Sequence, residues 1–75
     1  MLRFEVPAAS DVRIVLFDLG GREVAVLVNE KCQPGQYKVM WNGRNSMGIP
    51  APTGIYFARM TADDYSNTIK MLLVK

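Results

Sequence analysis

Apolar side chains recur at every second position along most of this chain and seldom at helical spacing, the period of strands whose side chains point alternately to two faces of a sheet. Leu2, Phe4 and Val6 alternate with Arg3 and Glu5 before Pro7 ends the run. Val12, Ile14 and Leu16 alternate with Arg13, Val15 and Phe17 up to the turn at Leu19-Gly20-Gly21. Val24 to Val28 follows Gly20-Gly21-Arg22 at hairpin distance and predicts a third strand; Pro34-Gly35 supplies turn chemistry before a fourth, in which Tyr37, Val39 and Trp41 alternate with Lys38 and Met40. Ile55 to Ala62 and Thr68 to Val74, joined across Asp63-Asp64-Tyr65-Ser66, predict a closing hairpin. Short strands punctuated roughly every 8 to 12 residues predict an all-β fold, an antiparallel β-sandwich of six to seven strands. No helix is required, and there is no internal repeat, linker or low-complexity segment.

One feature departs from clean in/out alternation. Val15 and Phe17, and also Leu72 and Val74, put apolar side chains on the face opposite to Ile14, Leu16, Met71 and Leu73. Two readings follow: scattered apolar surface of the ordinary kind, or a contact with a neighbouring domain or a second copy.

The length of 75 residues allows one domain, residues 1–75, with a single core. Its stability is expected at about 4 to 11 kcal/mol. The composition, 49% hydrophobic and 21% charged, is that of a globular chain. A net charge of +2, from nine basic and seven acidic residues spread along the sequence, makes no stripe to neutralise a run of phosphates and speaks against a nucleic-acid partner. The longest apolar runs are about five residues, as in Val24 to Val28 and Met71 to Val74, far short of the roughly 20 residues a membrane helix needs, so no membrane insertion is expected. The start, MLRFEVP, has neither the apolar core nor the cleavage site of a secretory signal peptide. A strand pattern that begins at residue 2 is what a domain carried in a longer protein would show, a natural start being the other reading.

Catalysis finds little to work with. The chain has no histidine, the side chain that most often serves as general base near neutral pH. The single cysteine, Cys32, has no intrachain partner and belongs to no CxxC or Cys/His cluster. It falls in a predicted loop beside Lys31, which would lower its pKa slightly, and a tolerated loop cysteine is the plainer reading than a nucleophile. Asp63 and Asp64 are adjacent carboxylates that read first as turn chemistry and second as paired acid/base groups or a calcium ligand. No enzyme, metal or cofactor is expected. The aromatic residues Tyr37, Trp41, Tyr56 and Tyr65 read as core packing, least so Tyr65 at a turn, with a stacking platform for sugar rings as the alternative.

Several elements occur in a distinctive order: Asp18-Leu-Gly20-Gly21-Arg-Glu-Val24, Pro34-Gly35 ahead of Trp41-Asn42-Gly43, then Gly48, Pro52-Thr-Gly54-Ile-Tyr56, and a final Lys70-Met-Leu-Leu-Val-Lys75. This ordered set, spanning essentially the whole chain, resembles the FlgD Ig-like domain family and its close relatives, the type A C-terminal sorting domains of the type IX secretion system. Asn42 stands where the family often has aspartate, which keeps turn-capping hydrogen bonds and removes a charge. The resemblance implies a small immunoglobulin-like β-sandwich and a non-catalytic module at the C-terminus of a larger secreted or cell-surface bacterial protein, serving as a secretion and sorting signal. Its implied partners are the secretion machinery or a neighbouring domain of the parent protein, with Lys70 and Lys75 on the last strand as candidate recognition residues. The alternatives are a structural domain in flagellar hook-cap-type assembly, and an accessory polysaccharide-binding module acting through Tyr65 or Tyr56. Within this reading the stretch Trp41 to Tyr56 is a cross-sheet connection. Gly43 and Gly48 permit positive φ, Pro50 and Pro52 hold the chain extended, and Gly54 spares a clash at the start of the next strand.

Overall fold

A computed structural model of the chain describes residues 2–63 and 65–74. These hold six strands: β1 (Leu2–Val6), β2 (Ser10–Asp18), β3 (Glu23–Cys32), β4 (Gly35–Val39), β5 (Gly54–Ala62) and β6 (Tyr65–Leu73). All pairings are antiparallel, in one sheet of order β3-β2-β5-β6 and another of order β1-β4. The two sheets face each other as a small Ig-like sandwich. No helix long and apolar enough to cross a membrane occurs among the described residues.

The core forms where alternation aims apolar side chains at both sheets. Val6, Val12, Ile14 and Leu16 are its most completely buried large side chains, joined from β5 by Tyr56, Ala58 and Met60. Phe4 on β1 lies directly opposite Tyr37 on β4, and their rings stack at 5.2 Å. That pair roofs the core from the smaller sheet.

β3 breaks the alternation for a geometric reason. Its pairing with β2 slips twice, Val15 facing Val26 after Ile14 faces Val28, and Phe17 facing Glu23 after Leu16 faces Ala25. Leu27 and Val24 are therefore extra residues in two β-bulges, each of which re-aims the following side chains. The result is that Val24, Ala25, Leu27 and Val28 all pack on the core while Val26 faces outward. An uninterrupted apolar run is thus what a doubly bulged strand needs.

β3 also extends beyond Val28 through Asn29-Glu30-Lys31 to Cys32. The expected loop position of Cys32 is therefore corrected: Cys32 ends a strand opposite Ser10 and is buried. At the other edge, Tyr65 and Ser66 belong to β6 and not to a turn, whereas β4 stops at Val39, short of Trp41. Asp63, at the hairpin tip, has φ +52°, in the left-handed region that aspartate tolerates in turns. Asp64 lies outside the described residues.

The sheets differ in size. β5 and β6, nine residues each, reach about 30 Å at 3.3 Å per residue, in a molecule whose longest extent is 35 Å. β1 and β4, five residues each, reach about 17 Å. The smaller sheet therefore leaves part of the larger one's inner face open.

Candidate functional site

The connection from β4 to β5 carries the chain between the two sheets, and its own side chains and backbone hold it closed. The Trp41 indole Nε1 donates to the Arg44 carbonyl at 2.8 Å. The Asn42 side-chain oxygen accepts from the Arg44 N–H, and that of Asn45 accepts from Met47 and Ile49. Gly43 and Gly48 have φ of +77° and +81°, which a side chain would make costly. Main-chain bonds from Ala51 to Gly43 and from Asn45 to Ile49 close the loop on itself. The expected clash at Gly54 is corrected, because a Cβ there would meet nothing within 4 Å; its place opens β5 without a steric demand.

Both ends of this loop meet at Tyr56. The ring is buried, packs edge-on to Trp41 with centroids 5.0 Å apart, and its hydroxyl donates to the Pro52 carbonyl. Tyr56 is thus unavailable to a sugar, which removes it from the polysaccharide reading. Tyr65 is 56% exposed. Tyr37 is partly buried and donates its hydroxyl to the Gln33 carbonyl. At the β2–β3 turn, Gly20 and Gly21 sit between Asp18 and Arg22, where the Asp18 carboxylate accepts from the Arg22 N–H and pairs with its guanidinium at 3.5 Å. Pro34 precedes Gly35, the first residue of β4.

Among the described residues no three His, Cys, Asp or Glu side chains gather as a metal would require, and no buried side-chain N or O lacks a hydrogen-bond partner. Lys31 does not activate Cys32. Burial, and secondarily the Glu30 carboxylate, push the thiol above its ordinary value of 9.0. Two outcomes follow. The native thiol should stay unmodified by an aromatic disulfide reagent at neutral pH and react fully once urea unfolds the chain. Since the unfolded thiol ionises first, this group's contribution to stability is fully present below the ordinary thiol value and is lost as pH rises from there through the raised value of the folded state. Rapid labelling of the folded protein would contradict its burial.

A second feature is the outer face of the β3-β2-β5-β6 sheet. Cross-strand register sets Phe17 opposite Phe57 and Phe57 opposite Lys70, with Val26, Val15 and Arg59 in the adjacent row. Val15 is only 5% exposed although it points outward, so its neighbours on that face cover it. The Arg59 guanidinium stands 5.2 Å from the Phe17 ring centroid, within cation–π range. Leu72 and Val74, 70% and 72% exposed, continue the apolar surface. Lys70 is exposed on this face, and Lys75 lies outside the described residues. Among those residues the ion pairs are Arg13–Glu23 and Arg22–Asp18, which leaves Arg59 and Lys70 available to a partner.

Comparison with curated proteins and with solved structures gives no match. A family model, the FlgD Ig-like domain, matches residues 2–66, from β1 through the Trp41 to Tyr56 connection to the second residue of β6. The chain belongs to the FlgD Ig-like domain family.

Proposed function

We propose that this Ig-like domain is a non-catalytic docking module of a larger exported bacterial protein, and that it addresses its parent to the secretion machinery. The supporting observation is the outer sheet face, where Phe17, Phe57 and Leu72 adjoin Arg59 and Lys70 in one surface. Apolar area desolvated against a partner supplies affinity, and cations at its margin steer and orient the encounter. The β5–β6 hairpin carries most of this surface on a rigid pair of long strands, with no chemistry asked of it.

The test is an export assay. Residues 2–75 are fused to the C-terminus of a periplasmically targeted fluorescent protein in a bacterium with a type IX system. Fluorescence on the outer surface or in the medium, dependent on the translocon, is the expected result. Lys70→Glu should lower that export while changing stability by less than about 0.5 kcal/mol, as an exposed substitution does. Retention of the unmodified fusion in the periplasm would overturn the sorting reading. It would favour the second reading, a structural domain in hook-cap-type assembly, which the family match supports.

A further inference from the structure

β1 has a strand neighbour on one side only. Its other edge, Leu2–Val6, offers main-chain N–H and C=O groups that no strand among the described residues takes up, and such an edge is a template for another strand. Below that edge the sandwich is open. One cleft of about 240 Å³ lies between Leu2 and Phe4 of β1, Ala58 and Met60 of β5, and Asn67 and Ile69 of β6. A second, of about 290 Å³, continues past Val6 and Met60 to Tyr65. Ile69 and Tyr65 share the face of β6 that carries Met71 and Leu73 onto the core, yet they are 38% and 56% exposed. A two-stranded sheet over a four-stranded one leaves a strand position vacant beside β1 and above β6.

The charge on this sheet says more about the occupant. Arg3 lies directly opposite Lys38, both exposed, and like charges in that relation destabilise a pair of strands. The ion pairs among the described residues lie elsewhere. A strand laid along β1 would place one outward side chain beside Arg3, where a carboxylate meets a cation that is in no ion pair among the described residues. A second copy of the domain does not fit the same place. Paired through β1, it would bring its own β5 and β6 beneath the added strand, where β6 already lies; a single extended segment carries no such layer.

We propose that β1 accepts a strand from another polypeptide: an extended segment, apolar at alternate positions that face Met60 and Ile69, with an aspartate or glutamate on the outward side next to Arg3. Main-chain bonds to β1 supply the affinity, and the clefts with Arg3 supply the selectivity.

The test uses the isotopically labelled 75-residue chain and two short capped peptides that alternate valine with threonine, one carrying an aspartate among the threonines and the other a lysine at the same place. The aspartate peptide should slow amide hydrogen exchange at Leu2–Val6, and the lysine peptide should bind about fivefold more weakly. Ile69→Glu, which charges the cleft floor, should abolish binding. Thr68→Glu, exposed on the opposite face of the same strand, should leave it unchanged. No slowing at Leu2–Val6, slowing at the free edges of β3, β4 or β6 instead, or equal binding of both peptides would overturn the proposal. So would protection of β1 that rises with protein concentration in the absence of peptide, since the occupant would then be a second copy.

Discussion

Replacement of Leu16 by alanine should lower the free energy of unfolding by about 3 to 4 kcal/mol, the cost of deleting a fully buried leucine where surrounding atoms only partly collapse. Leu16 has no solvent exposure and sits mid-strand between β3 and β5, opposite Ala25 and Ala58. Alanines flank it on both sides of the sheet, so no neighbouring large side chain in its row is positioned to swing into the space. Against a total on the order of 4 to 11 kcal/mol, that loss takes the domain to the margin of folding. In thermal melts it corresponds to a fall of roughly 20 to 25 °C for a chain of this size. Leu19→Ala supplies the comparison, since Leu19 is 72% exposed at the β2–β3 turn and should change stability by less than about 0.5 kcal/mol. Urea titration followed by Trp41 fluorescence reads both. Equal effects of the two substitutions would mean that the core does not lie between these sheets.

Leu16 was also among the easiest residues to place from sequence, and the reason bears on what was missed. Central strands must satisfy two neighbours and one buried face, so β2 and β5 show the alternation that predicts them. The errors fall on edge strands. The far half of β3 reads Asn29-Glu30-Lys31, the composition of a loop, because its edge position lets polar side chains stay in water while the backbone pairs with β2 alone. Cys32 is hidden behind that polar run and so reads as a loop cysteine. The start of β6 reads Tyr65-Ser66-Asn67, the composition of a turn, because the smaller sheet does not reach over it and no burial is demanded. Consecutive apolar residues in Val24 to Val28 give a strand but no face, since the two bulges that assign the faces depend on register against β2.

The candidate site divides along similar lines. The outward apolar positions Val15, Phe17, Leu72 and Val74 were legible from alternation, which fixes the side of a strand a residue occupies. The division of the surface between cover and exposure was not. Val15 is enclosed by a face that Phe17, Val26 and Arg59 share, whereas Leu72 and Val74 stand open near the end of the edge strand. Sheet order decides this, and no local pattern encodes which strands lie at the edge. The vacant position beside β1 is invisible for the same reason, being a property of four strands facing two.

Tyr56 should be the point at which the β4–β5 connection is most easily undone. Its ring is buried near the start of β5, and Tyr56→Ala is expected to cost about 3 to 4 kcal/mol through the cavity it leaves. Tyr56→Phe keeps the ring and removes only the hydrogen bond to the Pro52 carbonyl, for about 1 kcal/mol. The contrast separates packing from polar closure of the loop. A double-mutant cycle with Trp41→Ala then isolates the edge-on contact between the two rings, with an expected coupling of about 0.5 to 1.5 kcal/mol. In Tyr56→Ala the remaining indole loses its neighbour, so Trp41 emission should shift to the red in the folded protein even before denaturant is added. Near-equal losses for Phe and Ala would locate the energy in the hydroxyl. The loop would then be held chiefly by polar closure at Pro52, and the approach of Trp41 to Tyr56 would be a consequence of that closure.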